Sequence, residues 1–592
     1  MKTDFLPICR EDMEKRGWKE LDVILISGDA YVDHPSYGTA VIARVLERHG
    51  FKIGIISQPD WRSTEDFKKL GKPRLFFGIT SGSTDSMIAN YTANKKPRGS
   101  DDYSAGGKTG LRPDRAVIIY ANRAREVFKD VPIVLGGIGA SLRRLAHYDY
   151  WDNAVRRSIL CDSRADILVY GMGERQVVEI ARRLNNKEPV ESLDGIRGTA
   201  VIRKNIDSVE DDCVVIPSFE NVLKDKDEFT RAFVVMYNQM NPFTAKAVAQ
   251  QHQERFVIQF PPALPLSPVE LDAVYELPYA RKWHPVYDAS GGVKGLATVE
   301  FSITSHRGCS GECSFCALYF HQGRIVQSRS AASIVKEARM FSKQDNFKGT
   351  ITDVGGPTAN MYAAKCSLWE KEGFCADKKC LTPEKCKNFD TGYRQSIEML
   401  REIRSIPNVK HVFIGSGFRH DLLTGDYARD YLEEICRYHI SGLMKVAPEH
   451  CSEEVLRVMN KPPFAVYEKF VEDFKKAARR AGKNIFIVNY FLSAHPGCSL
   501  KEALDLALYL AQRKIRPEQI QDFIPAPMTP ATCMYYTEKD PFTKRKIYVP
   551  KTFRERKKQR ALIQYANPVN RKFVIEALKE LKAERFIKKL TG

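Results

Sequence analysis

"VEFSITSHRGCSGECSFCALYFHQGR" (residues 299–324) joins a β-rich run to a loop that holds Cys309, Cys313 and Cys316 within eight positions. Structural zinc sites draw four ligands, commonly from two short pairs. This loop offers three thiols in a C-x3-C-x2-C arrangement instead. Iron–sulfur clusters are held by cysteine thiolates, four when the protein alone ligates them. Three leave one position open, and an open position is what separates a catalytic metal from a structural one. The other readings of the residues are a zinc loop that borrows a distant ligand, and three reduced core cysteines.

Working outward, "VEFSIT" opens a series of apolar, β-rich runs: "GTITDVGG" (349–356), "HVFIGSG" (411–417), "GLMKVAPE" (442–449), "NIFIVNYFLS" (484–493) and "IQDFIP" (520–525). Segments of helical periodicity such as "SAASIVKEARMFSK" and "VYEKFVEDFKKAARRAG" lie between them. Six β/α units predict a barrel or partial barrel, with functional residues at the carboxyl ends of its strands. Upstream, "LDVILIS" (21–27), "KIGIIS" (52–57), "RLFFGI" (74–79), "VPIVLGG" (131–137) and "DILVYG" (166–171) alternate with helical stretches. That alternation predicts an open, doubly wound α/β sheet. Gly-rich turns follow two of its strands, "GGIGAS" (136–141) and "GMGE" (171–174), and neither completes a dinucleotide fingerprint. Residues 82–112 read as a long polar loop, either functional or mobile.

Four regions result: an α/β domain over 1–204, a proline-rich linker packing across both domains over 205–298, a barrel over 299–540 with a Cys-rich insert at 362–390, and a basic helical extension over 541–592. At 592 residues several domains are expected. The 92 Lys and Arg against 73 Asp and Glu give a net charge of +19, which suits an anionic partner, nucleic acid first among them. No apolar run reaches the ~18 residues of a membrane span, and the N-terminus lacks the apolar stretch of a signal peptide. A cytoplasmic protein is expected, with its clustered cysteines serving metal or redox chemistry rather than disulfides.

Cys309, Cys313, Phe315 and Cys316 form C-x3-C-x-(aromatic)-C, which resembles the cluster motif of the radical S-adenosylmethionine (SAM) superfamily. The resemblance implies a [4Fe–4S] cluster whose open iron chelates SAM, cleaved by an electron to methionine and a 5′-deoxyadenosyl radical. It also implies an electron donor such as flavodoxin or ferredoxin. Phe315 takes the aromatic position beside the cluster. "DVGGPTANMY" (353–362) stands where the superfamily has a Gly-Gly-Glu segment facing the SAM amino group. Pro357 replaces the acid, which leaves the backbone of Gly355 and Gly356 for that contact. By the same likeness Ser416 and Arg419 of "GSGFRHD" are candidates for the SAM carboxylate or ribose, and Lys445 and Glu449 of "KVAPEH" for further polar contacts. A surface or capping role is the alternative for each. His306, Arg307, His321 and Arg324 either tune the cluster or cap its loop. Over its whole length, through "LPYARKWHPVY" (277–287), "GGPTANMY" and "QDFIPAPMTPATCMYYT" (521–537), the chain resembles the YgiQ-like radical SAM proteins, a family without a settled substrate.

Two features stand outside that motif. Cys366, Cys375, Cys380 and Cys386 are spaced C-x8-C-x4-C-x5-C in a loop rich in Lys, Glu and Gly. They are expected to close around a second metal or cluster of structural or electron-transfer role, with redox-active or reduced thiols as the alternative. The N-terminal sheet is similar to the cobalamin-binding domains that precede many radical SAM barrels. Asp33 and His34 are adjacent, however, so the D-x-H-x-x-G pattern of base-off binding is absent. A corrin-binding domain and a degenerate one that only shapes a substrate pocket both remain open. The expected activity is radical SAM modification of a macromolecule such as RNA, with an enclosed small molecule as the other substrate class. A non-catalytic iron–sulfur or zinc protein in regulation or electron transfer is the reading from a different functional class.

Overall fold

The computed structural model describes residues 4–207, 209 and 213–591. Two compact units divide the chain, one of Met1–Glu300 with Phe320–Gly323, the other of Phe301–Tyr319 with Arg324–Gly592.

The first unit is built on a nine-stranded sheet. Its strands are β1 (Val23–Ser27), β2 (Ile53–Ser57), β3 (Phe76–Thr80), β4 (Ile133–Leu135), β5 (Ile167–Val169), β6 (Thr199–Arg203), β7 (Cys213–Ile216), β8 (Ala247–His252) and β9 (Arg255–Gln259), in the order β7-β8-β9-β6-β5-β4-β3-β1-β2. Strands β2, β1, β3, β4 and β5 run parallel, with Val23 paired to both Ile53 and Phe76. Every residue of β1 is buried, as a parallel strand covered on both faces requires, which is why these runs read as continuous apolar stretches. The order 2-1-3-4-5 is the doubly wound arrangement, and its switch point lies between β1 and β3.

The linker expected over 205–298 is corrected here. Residues 213–259 supply β7, β8 and β9, and the segment groups wholly with the first unit. Strand β9 runs antiparallel to both β6 and β8. Farther on, Lys282–Trp283 pairs with Val32–Asp33.

The second unit carries the six-strand series in chain order. Its strands are β10 (Ser302–Thr304), β11 (Thr350–Ile351), β12 (Asp353–Gly355), β13 (His411–Val412), β14 (Leu443–Glu449), β15 (Phe486–Ser493) and β16 (Gln521–Asp522). Parallel pairing joins β10 to β12, β11 to β13, β14 to β15 and β15 to β16, and a parallel bridge from Phe418 to Val446 joins the third position to the fourth. Sequential parallel pairing is the topology of the partial β/α barrel. Positions β11 and β12 are two pieces of one expected strand.

The C-terminal extension is helical over Phe553–Ile563, Arg571–Glu580 and Ile587–Thr591, and it packs on the helix Leu500–Gln512. Two of its basic residues are buried, Arg556 donating to the Phe523 carbonyl and Lys558 pairing with Glu580, and the half-exposed Arg560 pairs with Asp522. Among the described residues no helix is long and apolar enough to cross a membrane.

Candidate active site

A two-residue ladder, His306 against Ser328 and Arg307 against Gln327, closes the stem of the cysteine loop directly after β10. Inside it the Ser310 hydroxyl donates to the Arg324 carbonyl (2.8 Å), and Arg324 pairs with Glu312 at 3.1 Å. The loop is also tied to two later helices, Glu453–Met459 and Pro530–Thr537: Ser314 N–H donates to the Met459 carbonyl (2.9 Å), and Ala531 N–H donates to the Ser314 carbonyl (2.9 Å). Arg307 and Arg324 are therefore buried parts of the loop's framework rather than surface charges.

Cys309, Cys313 and Cys316 are free thiols that interact electrostatically with one another. Burial raises the Cys309 and Cys316 thiols, the latter to about 12, with the neighbouring thiols adding to the rise. The Cys309 Sγ lies 3.3 Å from the Thr358 hydroxyl. Arg419, buried, places Nη1 3.6 Å from Cys313 Sγ. A Cβ at Gly311 would strike that guanidinium, so only glycine lets the loop approach it. Burial opposes the charge on Arg419, but Asp421 and the thiols of Cys313 and Cys309 more than offset it. Asp421 grips the guanidinium at 3.0 Å to Nε and 2.7 Å to Nη2, and Arg419 in turn holds that buried carboxyl below the usual range.

The Gly355–Gly356 turn ends β12. A Cβ at Gly356 would meet the His306 ring at 2.7 Å, and one at Gly355 would meet Ser416 Oγ at 2.7 Å. The His306 imidazole bridges Ser305 Oγ (2.9 Å, Nδ1) and the Thr358 carbonyl (3.0 Å, Nε2), and burial lowers its pKa to about 4. A neutral ring thus braces the turn against the stem of the cysteine loop.

The remaining candidates divide. Ser416 spends its hydroxyl and its N–H on Asp353, whose carboxyl burial raises. Lys445 is exposed on β14, within electrostatic reach of Asp353. Glu449, at the end of β14, is buried with Oε2 unpartnered, and its nearest cation, Lys461 Nζ, stands 3.9 Å from Oε1. Its φ of +67° is a left-handed conformation that a glutamate adopts only when its surroundings enforce it. Burial raises its pKa, partly countered by Lys461 and Arg419. Phe315 packs edge-on against His495 (5.7 Å), itself neutral because burial lowers it to about 3. His321 lies in the first unit, 3.1 Å from Ser141 Oγ.

The strand ends of the second unit thus bring together the three thiols, a glycine turn, a cation and a buried carboxylate. Residues 5–302 match the radical SAM N-terminal family, residues 303–510 the radical SAM superfamily, and residues 518–588 a domain of unknown function (DUF3362). A UPF0313 protein of Clostridium botulinum (strain ATCC 19397 / Type A) is 52% identical over 98% of this chain and 90% of its own. One from Methanosarcina acetivorans is 49% identical over 98% of this chain and 81% of its own. The chain belongs to the UPF0313 family, the YgiQ-like radical SAM proteins. It is a radical SAM enzyme whose reaction is unassigned. The fold is shared with the radical SAM methyltransferase TsrM of Kitasatospora setae, at a TM-score of 0.50 and 16% identity over 86% of this chain and 74% of that one.

For this UPF0313 protein, membership implies a [4Fe–4S] cluster, SAM and a reductant. Cobalamin is a separate matter, because the residues at the switch point of the first unit are already engaged. Arg112 donates to the Gly28 carbonyl (3.0 Å) and to Asp29 (2.6 Å), and pairs with Asp101 at 3.2 Å. Ser83 N–H donates to Asp29 (2.6 Å), and Ala30 N–H to the Tyr103 carbonyl (2.9 Å). A Cβ at Gly28 would strike the Ser81 carbonyl. The polar loop of 82–112 is therefore a plug over the ends of β1 and β3. His34 is buried beside Arg281 (3.4 Å), and burial holds its pKa well below the ordinary value. Asp33 is committed to Arg44 and to Ala280 N–H. These residues do not fit a corrin.

Sequence reasoning missed Thr358, Asp353 and Asp421. Each stands two positions from a candidate, Asp353 from Gly355, Thr358 from Gly356 and Asp421 from Arg419, yet no spacing marked its role.

Proposed function

We propose that Cys309, Cys313 and Cys316 hold the [4Fe–4S] cluster and that the ends of β12, β13 and β14 bind SAM beside it. When bound, the pair supplies reductive cleavage of the sulfonium and a carbon radical that takes hydrogen from substrate. The observation that carries this reading is the set of three free thiols within electrostatic reach of one another on the loop after the first barrel strand, with Arg419 lying 3.6 Å from Cys313 and within electrostatic reach of the buried Glu449 and its unpartnered oxygen.

The protein's own part is positioning and charge. Arg419 offsets thiolate charge at Cys313, and Asp421 fixes its orientation. The Thr358 hydroxyl supports Cys309. Gly355 and Gly356 let the turn pack against Ser416 and His306 where no side chain fits, which leaves only backbone for a ligand contact at this strand end. The unpartnered Glu449 oxygen is an acceptor for a cofactor hydroxyl or ammonium, since a buried carboxylate left unmatched is costly. Ser416 acts as a brace between β12 and β13 rather than as a free ligand group.

The pairing of Arg556, Lys558 and Arg560 with groups of the protein itself reduces the charge that the extension offers to RNA. A substrate small enough to enter the barrel is accordingly preferred here to a macromolecule. The test is electron paramagnetic resonance of the anaerobically reconstituted, dithionite-reduced full chain. A cluster signal that changes on adding SAM is expected. A signal that ignores SAM, or that survives in a Cys309→Ala, Cys313→Ala, Cys316→Ala variant whose insert cysteines are also Ser, contradicts it.

A further inference from the structure

Residues 362–390 pass from a short 3-10 turn (Ala359–Met361) to the helix Tyr393–Arg404 with no helix or strand of their own. Their only ladder is the bridge of Lys365 with Asp390, two backbone hydrogen bonds of 3.0 Å that close the neck. The apolar content is slight: Trp369 packs edge-on to Phe389 at 5.8 Å, and Leu381 is buried nearby. Segments of this length without secondary structure are uncommon in compact domains, and small scaffolds with little core rely on a cross-link or a metal. All four cysteines are free thiols, so no disulfide supplies the cross-link.

The insert nevertheless brings its four cysteines within electrostatic reach of one another. Cys386 N–H donates to the Cys380 carbonyl (2.8 Å), which brings the third and fourth side by side. Cys366 and Cys386 sit at the two sides of the neck. Cys380 feels the charge of the other three and Cys375 that of Cys366 and Cys386, and burial raises the Cys380 thiol to about 12. Among the described residues no three or more His, Cys, Asp or Glu stand at metal-coordinating spacing, and that holds for Cys309, Cys313 and Cys316 as much as for these four.

The insert is also fastened to the cysteine loop of the active site. The Thr382 hydroxyl donates to Asn460 Oδ1 (2.8 Å), and Asn460 Nδ2 donates to the Glu312 carbonyl (2.8 Å). The Arg324 guanidinium lies over the Phe374 ring at 4.2 Å. Lys379 is within electrostatic reach of Glu312 and Cys313.

We propose that Cys366, Cys375, Cys380 and Cys386 form a closed tetrathiolate metal centre, zinc or iron–sulfur, which staples the insert and through Thr382 and Asn460 steadies the loop that carries Cys313. Four protein thiolates leave no open position, so the centre binds no substrate. Binding releases the thiol protons to solvent and couples metal affinity to the folding of the insert. The proposal stands apart from the SAM reading, since it needs none of the three loop cysteines.

The experiment uses the full chain carrying Cys309→Ala, Cys313→Ala and Cys316→Ala. It is purified anaerobically and loaded either with Zn2+ alone or with iron and sulfide. The expected result is about one zinc, or one cluster's worth of iron and sulfide, per chain. That metal is lost when Cys380→Ser and Cys386→Ser are added, and limited proteolysis then cuts within 362–390. Retention of the same metal after both Ser substitutions overturns the proposal, and so does the absence of both metals from the triple variant. A Thr382→Val variant guards against misfolding: it keeps the metal but loosens the cysteine loop, seen as faster amide exchange at 309–316. Unchanged exchange there overturns the coupling.

Discussion

Both units end their parallel strands in glycine turns and polar residues, yet they treat those ends in opposite ways. In the first, Arg112, carried on a long loop, fills the switch point and satisfies the Gly28 carbonyl, Asp29 and Asp101. In the second, the ends of β10, β12 and β14 keep three thiols free and leave the Glu449 Oε2 unmatched. A ligand site at a strand end is therefore not a property of the topology alone. It exists where the chain does not supply its own partner, and at the switch point of the first unit the chain supplies one.

The comparison can be broken at the sealed end first. Arg112→Ala leaves Asp29 and Asp101 buried without their cation. Removing one partner of a buried pair costs about 3–5 kcal/mol, so the urea transition of the first unit should move to lower denaturant. A stability within ~1 kcal/mol of wild type would mean that the plug is not what seals the sheet. The open end is probed by Glu449→Gln, which keeps the shape and removes the charge. SAM affinity should fall about tenfold, or ~1.4 kcal/mol, while stability holds or rises, because the buried carboxylate has no close partner. Unchanged affinity with lower stability would make Glu449 structural. The smallest effect is an expected zero: the full chain incubated with hydroxocobalamin and desalted should carry no corrin absorbance. Stoichiometric corrin would show that the loop 82–112 opens and that the two ends are alike.

Much of this contrast was legible in the residues before the structure, but unevenly. The five parallel strands of the first unit are short, apolar and buried on both faces, so they announce themselves, and the six positions of the second, though only partly buried, recur between helical stretches. Strands β7, β8 and β9 do not. Gln250 and Gln259 interrupt their apolar pattern while buried, Gln250 N–H2 donating to the Pro217 carbonyl and the Gln259 side chain accepting from Arg144. Polar residues inside strands, followed by the proline run of "QFPPALPLSPVELD", imitate a linker. At the site, the three thiols and two glycines carried a local spacing. Their supports did not: Thr358 reaches Cys309 across 49 positions, and Asp353 reaches Ser416 across 63. The plug depends on Arg112 meeting Asp29 across 83 positions, a contact that only the fold reveals.

SAM cleavage is proposed to be driven by the loop after β10. The most direct measurement is 5′-deoxyadenosine formed by the anaerobically reconstituted full chain with dithionite and SAM, compared with the Cys309→Ala, Cys313→Ala, Cys316→Ala variant. The expected result is formation by the full chain and a fall of at least about a hundredfold in the variant, ~2.7 kcal/mol of lost barrier lowering. Equal amounts from the two proteins, or none from either after the cluster is shown to be loaded, would contradict it.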